Sequence, residues 1–165
     1  QILEVLVCAL SPRRSVLAVC ERCAATPTVQ ITMYEIRSAG GQTVCEPART
    51  LQDLGKVGQV NCMALSTEPE ATYLALASMA PELMLAVMDW RKNEVIGRFA
   101  LSGRVERLAL SPWEDGVLSA SGAKMLQLWA FPGMSVGDRA AANDAGSGVR
   151  AAAGAPDDEL VKLEG

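Results

Sequence analysis

Apolar and polar positions alternate along this chain in short bursts, each bounded by Ser, Pro, Asp or Gly. A period of two over such lengths predicts half-buried β-strands rather than helices. Three bursts end in the same phrase, Ala9-Leu10-Ser11, Ala64-Leu65-Ser66 and Ala109-Leu110-Ser111, separated by 55 and 45 residues. The strands that precede it are expected at Leu6–Leu10, Val60–Leu65 and Val105–Leu110. Turns follow at "SPRRS", "STEPEAT" and "SPWEDG", where Pro12 and Pro112 cannot donate to a ladder and Asp115-Gly116 supplies the positive φ of a tight hairpin. Second strands are expected at Val16–Cys20, Tyr73–Ser78 and Val117–Ser121, and third strands at Val29–Ile36, Leu83–Trp90 and Met125–Phe131. "RKNEV" then turns into a fourth strand, Val95–Phe99. In the first copy the fourth strand is expected at Arg49–Leu51, after a long loop of Ser, Gly and Gln.

Four short antiparallel strands recurring at this period predict the blade of a β-propeller. A blade has two apolar faces and covers both only by stacking between neighbours. The expected fold is therefore all-β, a partial β-propeller over residues 1–131 with blades at 1–51, 52–103 and 104–131, the first and last incomplete. Tyr34, Met88 with Trp90, and Trp129, each late in a third strand, are expected in the layers between blades. Three blades are fewer than the four to eight of a closed ring. Open faces and unpaired edges predict self-association or a molten, dye-binding fragment, with the remaining blades in sequence outside this chain.

Residues 132–165 read as a disordered linker, because "GMSVGDRAAANDAGSGVRAAAGAP" has almost no large apolar residue to offset its ordering entropy. Two turns of helix are expected within it, over Asp157–Leu163, with the acidic pair as cap.

"LALSPWEDGVLSASGAKMLQLWAF" resembles a degenerate WD-repeat, through Ser111-Pro112, Asp115-Gly116, Leu118-Ser119-Ala120-Ser121-Gly122 and Leu128-Trp129. The chain has no His and no Trp-Asp dipeptide after Leu128, so the buried His–Asp network of well-formed WD-repeats is missing. Over roughly residues 5–131 the resemblance narrows to cilia- and flagella-associated WD-repeat proteins. "ALSPRRSVLAVCER" with "PTVQITMYEI", then "APELMLAVMDWRKNEVIGRF", then "SASGAKMLQLW" are similar in order to that family's segments, with Ala80, Pro81, Leu85, Trp90, Lys92 and Val95 matching in the second. Met88 stands where that family has Trp, and the coiled coil that follows its propellers is not in this chain. The resemblance implies a non-catalytic scaffold that helps to anchor dynein or regulatory complexes on the axoneme of cilia or flagella. The corresponding localisation is cytoplasmic and cytoskeletal.

Composition narrows the function further. The apolar fraction is 50% but the aromatic share only 4%, so Ala, Val, Leu and Met must do most of the packing. A net charge of −4 offers no basic field for nucleic acid. No apolar run approaches the roughly 18 residues of a membrane span, no signal-peptide pattern opens the chain, and the start at Gln1 suggests a fragment. Five scattered Cys suit reduced thiols better than a disulfide framework.

Without His, the commonest general base and metal ligand is missing, and no Ser or Cys nucleophile has a partner. No catalytic residue, cofactor or metal is expected. Gly40-Gly41 and the glycines at 146 and 148 lack phosphate-loop spacing and read as loop glycines. Cys20 and Cys23 form the sole Cys-x-x-Cys and leave open a small thiol redox or metal-binding protein, against the ordinary reading of a buried apolar Cys. A generic cytoplasmic WD-repeat adaptor is the other alternative. Candidate partner-binding residues are Arg13 and Arg14, Arg91 and Lys92, and Trp113, all in turns at blade ends. The bland reading of the charged pairs is a solvated hairpin. Trp113 is either a binding anchor or packed over its hairpin.

Overall fold

A computed structural model of the chain describes residues 2–24, 29–51, 54, 59–113 and 116–130, together with the backbone of 161–163. Twelve strands form three four-stranded sheets, and every described pairing is antiparallel. The first sheet is β1 (Ile2–Leu10), β2 (Val16–Cys23), β3 (Val29–Ala39) and β4 (Gln42–Leu51), in that spatial order. The second is β5 (Val60–Leu65), β6 (Tyr73–Ser78), β7 (Met84–Asp89) and β8 (Glu94–Ala100). The third is β9 (Arg107–Leu110), β10 (Val117–Gly122), β11 (Met125–Ala130) and β12 (Val161–Leu163). β5 lies beside both β1 and β9, so the first strands of the sheets form an inner row and the sheets stack face to face like propeller blades.

The Ser that ends each phrase fixes the first turn of its sheet. Ser11 N–H donates to the Val16 carbonyl at 2.8 Å, Ser66 N–H to Tyr73 at 3.0 Å and Ser111 N–H to Val117 at 2.8 Å. In the first two sheets the hydroxyl also accepts from the opposite strand, Ser11 Oγ from Val16 N–H at 3.0 Å and Ser66 Oγ from Tyr73 N–H at 2.9 Å. These bonds put Leu17, Leu74 and Leu118 at one equivalent position, opposite Tyr34, Met88 and Trp129 respectively.

Alternation then gives each sheet a leading face, toward the sheet before it in the chain, and a trailing face, toward the sheet after it. The Leu of the phrase leads and the Ala trails. One core joins the first two sheets: Ala18, Cys20, Ile31 and Met33 on the first meet Leu65, Leu74, Leu76 and Met88 on the second. A second core joins Ala75, Ala77, Leu85 and Val87 to Leu108, Leu110, Leu118, Ala120 and Trp129. Trp129 and Met88 occupy the layers between sheets as the sequence predicts. Tyr34 lies on the leading face of the first sheet and is half-buried.

Three expectations change, the first being that the first and last sheets are incomplete, since each has four strands. The loop expected before Arg49–Leu51 is instead a long hairpin, with β3 running to Ala39 and β4 starting at Gln42. Gly40 and Gly41, at φ of 59° and 80°, form the two-residue turn that a hairpin prefers and that side chains disfavour. The helix expected over Asp157–Leu163 is replaced at 161–163 by β12, which pairs antiparallel with β11 and supplies the fourth strand of the third sheet. A three-residue segment cannot hold a helix alone in water, whereas the β11 edge offers it a ready ladder. The rest of the expected linker, Phe131 and Asp115 lie outside the described residues.

Candidate functional site

Antiparallel order places the first-to-second and third-to-fourth turns of every sheet at one end of the stack. Hydrogen bonds tie these turns together. Ser15 Oγ donates to the Pro69 carbonyl at 3.0 Å, from the first sheet to the second. Thr67 Oγ1 donates to the Ser111 carbonyl at 3.3 Å, from the second sheet to the third. All five residues singled out in the sequence sit on this turn end.

Their surroundings differ. Arg13 and Arg14 project into solvent with no ion pair among the described residues, and Arg14 takes a left-handed φ of 57° that closes the tight turn. Lys92 is exposed and lies 3.6 Å from Asp89. Trp113 is 89% exposed, so it is not packed over its hairpin. An indole standing in solvent at a turn is a natural anchor for a partner surface.

Arg91 is the exception. Its guanidinium stacks on the Trp90 ring at 4.5 Å, contacts Glu35 on the first sheet at 3.0 Å and donates to the Glu70 carbonyl at 3.2 Å. Trp90 is itself buried, its Nε1–H bonded to the Ala71 carbonyl at 2.6 Å. Arg91 is therefore a half-buried tie between two sheets rather than a solvent-facing partner of Lys92. The sequence pair "RK" conceals this split; the useful signal is Asp89, whose Oδ1 accepts from the N–H groups of both Arg91 and Lys92 at 3.0 Å and so orients the turn.

Glu35 and Glu68, two of the acids at this end, are occupied. Arg37, then Arg91, hold the Glu35 carboxyl below its usual range through hydrogen bonds. Glu68 Oε1 accepts from Ser66 Oγ and Thr72 N–H, both at 2.6 Å. Outward among the described residues at this end are Arg13, Arg14, Lys92 and Trp113, together with the exposed carboxylates of Glu70 and Glu94. This end offers an apolar contact flanked by charges, and among the described residues it brings together no nucleophile and base.

The Cys pair is not assembled as a reactive site. Cys20 and Cys23 are three residues apart on β2, so they point to opposite faces. Cys20 is fully buried against the second sheet, and burial first, then Glu21, pushes its thiol up to about 12. A reactive or metal-binding thiol needs the opposite shift. At the other end of the stack, Pro81, Met84, Arg98 and Phe99 help to line a shallow recess on the second sheet.

No protein-family model matches the sequence, and no curated protein matches it either. Solved structures do match in fold. A chain of a Polycomb repressive complex 2 in an autoinhibited apo state aligns with a TM-score of 0.55 at 13% identity, covering 79% of this chain and 28% of that one. A chain of an active Polycomb repressive complex 2 in the basal state gives 0.55 at 12%, over 81% and 30%. A humanized mutant of the Chaetomium thermophilum complex bound to an inhibitor gives 0.55 at 14%, over 79% and 29%. The chain thus spans less than a third of the length of the chains it matches. At such identity the likeness concerns the fold alone. Fold and site together define a stack of antiparallel, propeller-like sheets whose turn end exposes Trp113 among charged residues.

Proposed function

We propose that this chain is a non-catalytic protein–protein interaction scaffold, a piece of a WD-repeat propeller that docks partners through its turn end. The observation that carries the reading is Trp113, 89% exposed beside turns that present Arg13, Arg14 and Lys92. Support also comes from the matched solved structures, which are parts of multi-protein complexes. In its finer form the proposal places the chain in a cilium or flagellum, as part of an axonemal protein like cilia- and flagella-associated protein 57, helping to anchor dynein or regulatory complexes. The ordered resemblance of its three segments is what favours that partner class over a generic cytoplasmic adaptor. The redox or metal-binding alternative is disfavoured by the buried, high-pKa thiol of Cys20.

The test is co-sedimentation of the purified chain with salt-stripped axonemes. The wild-type chain is expected in the pellet, and a variant carrying Arg13→Glu, Arg14→Glu and Trp113→Ala in the supernatant. A wild-type chain that stays in the supernatant sinks the axonemal reading. Equal pelleting of the two sinks the assignment of the turn end.

A further inference from the structure

We propose that the second sheet takes up an extended segment of a partner protein, which adds as a strand to the free edge of β8 and lays an apolar side chain in the recess beside it. The inference concerns the end of the stack opposite the turn end and does not rest on the axonemal reading.

The backbone supplies the first half of the site. β8 is the outermost strand of the second sheet and pairs with β7 alone. Leu101 N–H donates to the Leu83 carbonyl at 2.9 Å, so the backbone of Leu101 faces inward. Inward and outward positions alternate along an antiparallel ladder, which turns the N–H and C=O of Arg98 and Ala100 away from β7. The register is regular from Gly97 to Ala100, with no bulge and no Pro. The other outer edges differ: β4 carries a bulge and Pro47, which cannot donate, and β11 already holds β12. The second sheet has a neighbour on each face, so its edge is not opened by a missing sheet.

The recess supplies the second half. Leu83, Met84, Phe99 and Leu101 give it apolar walls, and its volume is about 510 Å³, within the range of ligand pockets. Those walls are held in place without a partner. Ser78 Oγ accepts from Met84 N–H at 3.0 Å and donates to the Glu82 carbonyl, while the Phe99 ring tilts against Trp129 with centroids 6.2 Å apart. A preformed site costs less to order on binding. Pro81, Glu82 and Ala100, which also line the recess, are exposed. A site so open cannot enclose a small molecule, but it suits one side chain of a segment whose backbone lies along β8.

Charge sets the composition of that segment. Arg98 and Glu82 are the two charged residues of the lining. Neither makes an ion pair among the described residues, and the one hydrogen bond of the Arg98 guanidinium there goes to the Leu54 carbonyl at 3.5 Å. The complementary segment has an apolar residue with an acidic neighbour for Arg98 and a basic neighbour for Glu82.

The test is selection from a random peptide library on the immobilised 165-residue chain, followed by fluorescence anisotropy of the enriched peptides. These peptides are expected to carry an apolar residue flanked by one acidic and one basic residue. Ala100→Trp places a large side chain at an exposed lining position and is expected to weaken their binding about tenfold or more. Ala100→Pro removes an N–H that faces the free edge and keeps the ladder to β7, yet it is expected to weaken binding about tenfold as well. Backbone N-methylation of an enriched peptide leaves the chain untouched and is expected to have the same effect. Arg98→Glu is expected to shift selection toward two basic residues, and Glu82→Lys toward two acidic ones. Trp113→Ala is expected to change none of this, which separates the site from the turn end. Absence of enrichment overturns the proposal, and so do peptides that bind Ala100→Trp as tightly as the wild type. Binding that survives both Ala100→Pro and N-methylation overturns the strand addition. Selected charges that ignore both reversals overturn the composition assigned to the partner.

Discussion

Leu65 and Leu10 hold the same place in the same three-residue phrase, yet one is 4% exposed and the other 50%. Leu110, the third copy, is 8% exposed. The difference is the neighbour: Leu65 and Leu110 each face a preceding sheet, and Leu10 faces none. The trailing faces show the converse, with Ala9 buried and its counterpart Ala109 exposed. In a stacked architecture burial is set by nearest neighbours. The apolar contribution of about 1.5–3 kcal/mol per buried Leu is therefore available on both faces of the second sheet and on only one face of the first and third.

The sharpest way to break this comparison is to truncate equivalent leucines. Leu74 and Leu17 share one position; the first is fully buried and the second partly exposed. Leu74→Ala is expected to cost about 2–5 kcal/mol, and Leu17→Ala less than about 1 kcal/mol. Both should be measured by urea unfolding. Equal losses would mean that the leading face of the first sheet is covered as fully as that of the second.

Thiols give the next largest contrast. Cys20 trails, buried between sheets, while Cys8 and Cys45 are exposed. Because burial raises the Cys20 pKa from its ordinary 9.0 to about 12, the folded state holds the proton more tightly than the unfolded chain. Its stabilising effect is complete below pH 9 and is lost as pH rises toward 12. Alkaline unfolding scans are expected to show this loss in the wild type and a reduced loss in Cys20→Ala. A thiol reagent at neutral pH is expected to modify Cys8 and Cys45 rapidly and Cys20 only on unfolding.

The phrase Ser marks a finer gradient along the stack. Ser66 is buried and its Oγ accepts from Tyr73 N–H, whereas Ser111 is partly exposed and its Oγ accepts from Trp113 N–H at 3.2 Å. Ser66→Ala is expected to cost about 1 kcal/mol and Ser111→Ala less, both read from the urea midpoint.

Much of this was legible in the sequence because local rules and tertiary context agree. Period-two alternation, the Ser-Pro turns and the repeated phrase locate ten of the twelve strands within a few residues, since each depends on backbone chemistry close in sequence. The hairpin around Gly40-Gly41 was missed because β4 is exposed along almost its whole length, so it carries no apolar alternation to reveal it. β12 was missed for a related reason, as its partner β11 lies about thirty residues away and a local pattern cannot pair segments so far apart. The turn end was legible as a set of residues but not as an arrangement. Nothing local to "RK" tells that Arg91 reaches Glu35 while Lys92 remains in solvent.

That last contact offers the smallest test, at the seam between the first two sheets. Glu35 and Arg91 are both partly exposed, so solvent screens the pair, and a double-mutant cycle with Glu35→Gln and Arg91→Met is expected to give a coupling below about 1 kcal/mol. The sign with pH follows from the direction of the shift. Arg37 first, then Arg91, lower the Glu35 pKa, so the contribution is present above the ordinary carboxylate value and is lost as pH falls through the lower folded value. Arg91→Met also removes the stacking on Trp90, and a fall in stability that persists at acid pH, where Glu35 is neutral, measures that packing separately. If the coupling instead exceeds that of an exposed pair and survives high salt, the seam between the first two sheets is held by charge as well as by its apolar core.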